Sequence, residues 1–462
     1  MQNFTRIPSL LVVAILACGA FLMGGCESNP DGPPEPAFES FTVKANPHMI
    51  TAVIVEATVT GVSELTIEYS RDGEEWSSTP SFPTSDGRYA VVGLAAETEY
   101  MFRLAAGSSK SAVETFITGE MPLLPDVTLT RTPGVEDPIM PGYLLVGFTG
   151  SSPDGAYAAV IYDTAARVVW YRSFGHPVVD FQKQPNGNFT MSVAPLNGPA
   201  KFYEVDVFGD EVAVHEAETT PATDVHELRI LSDGSRLISG VKRPKQDLTA
   251  YGGEADVEVK QCVVEYRNGS ELLTWSTELG MLPSDGIDPL VGSEVNPYHL
   301  NAIERDTDGN LLVSMRNASQ IVKIDVSTGF VKWRLGGKRS DFVLIGDPLF
   351  GFSRQHGVRR LANGNIIIFD NGNDRNPQVS RAVEYQLDET FHTATFVGEY
   401  RVPDLFGNAM GFAQRLQNGN TVVCFGTARF IREVSPDNRV LWQLHPIGVE
   451  LPYRAFKVSS LY

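Results

Sequence analysis

The sequence predicts an all-β protein: a six-bladed β-propeller preceded by a β-sandwich resembling a fibronectin type III domain. Three observations carry this expectation. Five apolar hairpins recur around Asn-Gly or Asp-Gly dipeptides in the last two thirds of the chain. Apolar runs that follow them end repeatedly in Trp, and a shorter region before them alternates brief β-runs with turns. Sustained period-two alternation broken by turn residues is the mark of strands, and a repeat of four strands points to propeller blades.

The first residues set the compartment. Arg6 is followed by an apolar run from Ile7 to Met23, too short and too near the terminus for a lasting membrane span. The run ends in Met23-Gly24-Gly25-Cys26, which resembles the lipobox of bacterial lipoproteins, with Cys26 as the lipidated residue. Cys18 competes, but cleavage there would leave Ala20–Met23 as an apolar stub. Residues 1–25 are thus expected to be a lipoprotein signal peptide, and 26–37 a Pro-rich tether. The protein is expected to be exported to the periplasm and anchored by lipid. Glu27, where an Asp would signal inner-membrane retention, favours the outer membrane.

Residues 38–120 carry the runs AVIVEATV, LTIEYS, RYAVVGL and EYMFRLAA, short enough for a sandwich. Tyr100 resembles the corner tyrosine that pins such a domain. No polar cluster marks this region, which reads as a spacer or docking module.

Residues 130–462 hold the repeat. The turn glycines Gly187, Gly234, Gly309, Gly364 and Gly419 are 47, 75, 55 and 55 residues apart. Dipeptides of this type favour two-residue hairpin turns. Outer runs end at Trp170, Trp275, Trp333 and Trp442, and two more begin near Tyr203 and Glu384, making six. The C-terminal YRAFKVSSLY is expected to return to the first blade and close the ring.

Composition excludes some functions. A charge of −19 argues against nucleic acid, which needs a basic footprint. Of four cysteines two lie in the leader, and Cys262 and Cys424 sit far apart in β-runs. That leaves no disulfide scaffold and no Cys-x-x-Cys metal pattern.

The histidines are distributed unequally. His226, His299 and His356 each open an inner strand of consecutive repeats, in VHEL, YHLN and QHGV, where Val179 and Gly411 hold the equivalent places. Equivalent positions of a propeller converge on its central channel, so three imidazoles are expected at one mouth. The other five, His48, His176, His215, His392 and His445, read as structural or surface residues. Asn301, two residues after His299, is expected on the same face. Folding back at Asp308-Gly309 places Arg316 opposite Asn301 or, with a longer loop, opposite His299. The same folding brings Asn371 near His356, and Thr427 ends the matching strand of the last blade. No Asp or Glu is expected in these registers. Without one, a metal is not implied, whereas Arg and Asn beside His suit an oxyanion.

These residues carry a family resemblance. NPYHLNAI, DGNLLVSMRN and QHGVRRLANGNIIIFDNGN resemble the bacterial arylsulfate sulfotransferases, across essentially the whole chain after Cys26. The resemblance implies a periplasmic propeller enzyme moving a sulfuryl group from an aryl sulfate donor to a phenolic acceptor, without a nucleotide donor or other cofactor. His356 corresponds to the histidine that becomes sulfated. His226, His299, Asn301 and Arg316 correspond to residues that hold the sulfate and assist proton transfer, and Thr427 to a further contact. A local cysteine pair found in some members is missing. The alternatives are a non-catalytic propeller lipoprotein serving as a binding or assembly platform, and a hydrolase that passes the same intermediate to water.

Overall fold

Alternating apolar and polar residues bounded by glycine turns fold here as strands that pair mostly antiparallel, with the short pairs Val257–Val259 to Glu294–Val295 and Val343–Ile345 to Thr393–Arg401 parallel. The computed structural model describes residues 35–133, 138–149, 157–195 and 198–462. The expected leader, Cys26 and most of the tether lie outside these residues. The described residues contain strands and a few short 3-10 turns, so the all-β expectation holds.

Two sheets form the N-terminal part. Ala37–Ala45, Ala52–Thr60 and Arg88–Val92 make one, and the other is built on Glu64–Ser70 and Glu99–Ala106. Their apolar faces meet over Val53, Val55, Ile67, Val91, Phe102 and Leu104, all buried. The Tyr100 hydroxyl accepts from the Ala95 N–H at 3.0 Å, tying the strand to the chain just before it.

Six sheets built on four antiparallel strands follow among the described residues, two of them with a fifth strand at the outer edge. Their innermost strands are Pro452–Val458, Val178–Lys183, Ala222–Ile230, Leu300–Arg305, His356–Arg360 and Phe412–Arg415, which neighbour one another in a closed ring. We call these sheets blades one to six. The C-terminal Pro452–Val458 pairs with Tyr143–Phe148, so the chain's end supplies the inner strand of its first blade. A second closure had no sequence signal: Val127–Arg131, which begins before residue 130, pairs with the outer strand Val440–Pro446 of blade six. Trp170, Trp275, Trp333 and Trp442 are buried between blades.

The hairpin turns differ from the expected two-residue type. In each, the N–H of Gly187, Gly234, Gly309, Gly364 or Gly419 donates to the carbonyl three residues earlier. Only the glycine takes a positive φ, from 80° to 92°. A two-residue type I′ turn requires positive φ at two positions, and the preceding Asn or Asp does not adopt it. The turns are therefore three-residue loops with glycine in the left-handed position. These loops and the register shifts near the inner-strand starts together set the pairing around the site.

The sandwich and the ring share a core, in which Met49, Ala52, Ala90 and Val92 pack with Leu144, Val169 and Tyr171. His48 bridges them: it accepts from Arg172 Nη1 at 2.6 Å and donates to Asp210 Oδ1 at 2.9 Å.

Candidate active site

The inner strands of blades two to five all have a register break near their starts: between Val179 and Gln182, Thr223 and Leu228, Leu300 and Ala302, and His356 and Arg359. Bulges re-aim side chains, so strict alternation fails here. His299 has φ 54° and immediately precedes its strand.

His356 is 2 % exposed, and its Nδ1 lies 2.7 Å from Asn371 Oδ1. The Asn371 amide is oriented by Nδ2, which donates to the carbonyls of Gly407 at 2.7 Å and Met410 at 2.9 Å. Its Oδ1 must then accept, which puts the His356 proton on Nδ1 and leaves the lone pair on Nε2. Burial pushes the His356 imidazole well below its ordinary pKa, and Arg316, His299 and His226 push the same way against the Asn371 hydrogen bond. It is neutral at pH 7.

His226 and His299 face each other, with Nε2 atoms 3.2 Å apart and rings edge-on. His226 Nδ1 bonds Asp224 Oδ1, whose other oxygen receives Lys260 Nζ at 3.3 Å. This corrects the expectation that no carboxylate stands in these registers. The bulge between Thr223 and Leu228 turns Asp224 inward, and a strand read as regular could not show that. Burial pushes the Asp224 carboxyl up, but His226 and Lys260 outweigh it and hold it well below the carboxylate range.

Arg316 is paired with His299, since its N–H donates to the His299 carbonyl at 2.9 Å; the three-residue loop alone would set it opposite Leu300, and the bulge between Leu300 and Ala302 supplies the remaining shift. Its guanidinium bonds Asn317 Oδ1 at 2.9 Å and the Asn408 carbonyl at 3.0 Å. Asn301 does not share the face of His299 in the simple way expected, because the left-handed His299 and the adjoining bulge interrupt the pleat. It is fully buried, and its Nδ2 donates at 2.7 Å to the carbonyl of Gln355, the residue before His356. Thr427 lies in the 3-10 turn Gly426–Ala428, past its strand, and donates to Asn408 Oδ1 at 2.7 Å. It reaches Arg316 through Asn408.

Two further groups were not among the residues expected at the site. Tyr453, from the returning strand, sets its ring 6.0 Å from that of His226, and its hydroxyl is buried without a partner among the described residues. Arg454 is 1 % exposed, and its Nη1 donates to Asp180 Oδ1 at 2.6 Å and Glu227 Oε2 at 3.0 Å. Arg359 meets the same Glu227 at 2.9 Å. The signal lay in the C-terminal closure, which makes Tyr453 and Arg454 inner-strand residues of blade one. Among the described residues no group of three or more His, Cys, Asp or Glu could hold a metal ion. Cys262 and Cys424 are buried free thiols.

An all-β ring that gathers three imidazoles, an arginine and oriented amides near the starts of consecutive inner strands has a donor set suited to an anion. Residues 143–447 match the arylsulfotransferase (ASST) family, and the chain belongs to that family. It is a sulfotransferase. No curated protein matches it. Solved structures similar to it include a Bacteroides caccae protein of unknown function, at 15% identity and TM-score 0.45 over 70% of this chain and 100% of that one. Virginiamycin B lyase from Staphylococcus aureus aligns at 11% identity and TM-score 0.36, over 70% and 88%. A putative 6-phosphogluconolactonase from Bacteroides fragilis aligns at 12% and 0.37, over 86% and 99%.

Proposed function

We propose that the protein moves a sulfuryl group from an aryl sulfate to a phenolic acceptor through a sulfohistidine on His356. The observation that carries this reading is the Asn371 contact, which leaves a neutral imidazole with its lone pair on Nε2. A neutral, oriented nucleophile is what attack on sulfur requires. In the first half-reaction His356 Nε2 forms the N–S bond as the S–O bond to the phenol breaks. In the second, the acceptor oxygen forms an S–O bond as N–S breaks. Arg316 is the cation for the nonbridging oxygens, steadied by Asn317 and by Thr427 through Asn408. Asn301 fixes the chain before the nucleophile. His226 and His299 serve proton transfer.

The test is incubation with an aryl sulfate and no acceptor, followed by mass spectrometry. A burst of phenol matching one sulfuryl group per chain, mapped to His356, is expected. A modification on another residue, or full turnover by His356→Ala, overturns the reading.

The Met23-Gly24-Gly25-Cys26 motif supports a place for the enzyme on the periplasmic side of the outer membrane, held by lipid. Cys26→Ala is then expected to move it from the membrane to the soluble exported fraction. Membrane retention by that variant, lost on Cys18→Ala, would shift the boundary.

A further inference from the structure

We propose that Asp224 is a positioning residue that makes His226, and not His299, the proton-transfer group of the pair. The proposal deepens the sulfotransfer reading above and rests on it. The hydrogen bonds allow one set of proton positions. Asn296 Oδ1 accepts from the His299 N–H at 3.0 Å, so its Nδ2, 3.3 Å from His299 Nδ1, is the donor there. His299 Nδ1 therefore carries no proton. Its one proton lies on Nε2 and points at His226 Nε2 across 3.2 Å. His226 Nε2 must accept it, which places the His226 proton on Nδ1, toward Asp224.

The two imidazoles are unequal as bases. His226 has a buried carboxylate behind it, and a carboxylate behind Nδ1 stabilises an imidazolium formed at Nε2. His299 has no carboxylate bonded to its ring, only an amide donor, and burial disfavours its cation. Asp224 is in turn held by the His226 N–H at 3.1 Å and by Lys260, so it has little freedom to turn away.

The steps balance as follows. When the acceptor attacks, its O–H proton passes to His226 Nε2, displacing the His299 contact, while the acceptor oxygen bonds sulfur and the N–S bond to His356 breaks. In a first turnover His226 Nε2 takes its proton from water, and in later ones from the acceptor; the His226 imidazolium, paired with Asp224, gives it to the departing phenolate oxygen of the donor as sulfur moves to His356 Nε2. His299 keeps its proton and donates a hydrogen bond.

The test uses the full chain and two donors. Phenyl sulfate releases a basic phenolate that needs the proton, whereas 4-nitrophenyl sulfate releases one that does not. General-acid catalysis is worth on the order of 100-fold or more. Asp224→Asn is expected to slow the phenol burst by about that factor with phenyl sulfate and only several-fold with 4-nitrophenyl sulfate. Equal slowing with both donors would mean a structural role and overturn the proposal. So would a selective loss in His299→Gln that His226→Gln does not show. Asp224→Ser provides a second variant, and circular dichroism checks that each is folded. If the unaltered enzyme gives no burst with either donor, the sulfotransfer reading fails and this proposal with it. A normal wild-type burst with uniform slowing in the variants removes the role of Asp224 alone.

Discussion

Asn371 and His356 form a fixed donor–acceptor pair: the amide oxygen lies 2.7 Å from Nδ1, and the amide nitrogen is held by two main-chain carbonyls. The imidazole therefore has one tautomer available, with Nε2 as its free base. Asn371→Leu removes the acceptor while keeping bulk. Partners that orient an imidazole from behind are worth on the order of 10- to 100-fold in activity. The burst from an aryl sulfate is expected to slow by about that factor, with the modification still on His356. An unchanged rate would show that the tautomer is set by something else.

Arg316 and Thr427 are predicted to differ in degree. Removing one donor to a developing oxyanion costs on the order of 100- to 1000-fold, and Arg316→Ala is expected to slow both half-reactions within that range. Thr427 touches Asn408, whose carbonyl receives Arg316. Thr427→Val loses one neutral hydrogen bond remote from the reacting atoms, and its loss is expected to stay below about 10-fold, the equivalent of ~1.4 kcal/mol. Single-turnover rates with one donor compare the two. A Thr427→Val defect as large as that of Arg316→Ala would place Thr427 in direct contact with the sulfuryl group.

How far these residues could be seen in the sequence follows from what the sequence encodes locally. The blades were legible because each hairpin repeats its apolar alternation and its turn glycine. The three histidines were legible because each falls near the start of an inner strand, His226 and His356 eight residues before their turn glycines and His299 ten before Gly309. Asp224 was not, since a bulge between Thr223 and Leu228 decides which way it points. Asn301 was placed on the face of His299 by the same assumption of a regular pleat, and the φ of 54° at His299 undoes it. Tyr453 and Arg454 could be tied to the site only through the closure of the ring, a pairing of residues 143–148 with the chain's last strand. The turn type departs from the two-residue expectation because, of each Asn-Gly or Asp-Gly pair, only the glycine takes the left-handed conformation.

The depressed pKa of His356 couples its protonation to stability. The folded state holds the imidazole neutral, whereas the unfolded chain binds a proton below about 6.5. Unfolding therefore takes up a proton as the pH falls through that value. The contribution of the neutral His356 to stability is complete above 6.5 and is lost progressively below it. Thermal unfolding of the wild type and of His356→Gln between pH 5 and 8 measures this. The difference in Tm is expected to move in favour of the variant as the pH falls. Parallel curves would show that His356 does not titrate between the two states.

Arg454 carries the largest expected effect on stability. It is buried on the axis of the ring, bonded to Asp180 and Glu227, with its second nitrogen on the Asn301 carbonyl. Burial and Glu227 push the Asp180 carboxyl up to about 7 even with the guanidinium beside it. Taking the guanidinium away leaves two buried carboxylates with Arg359 bonded to Glu227 and Arg229 acting on both from nearby. Breaking a buried ion pair from one side costs about 3–5 kcal/mol, and Arg454→Met is expected to lose that much in chemical denaturation. Asp180→Asn removes the charge that this substitution leaves unpaired. The double variant Asp180→Asn/Arg454→Met is therefore expected to be more stable than Arg454→Met alone, because Glu227 keeps Arg359. Activity should not recover in parallel. Arg454 also holds the carbonyl of Asn301, whose side chain fixes Gln355 beside His356, and methionine cannot donate that hydrogen bond. Recovery of stability without recovery of the burst would separate the two tasks of this arginine. Recovery of both would confine it to charge balance, and additive losses in the double variant would show that Asp180 and Arg454 act independently.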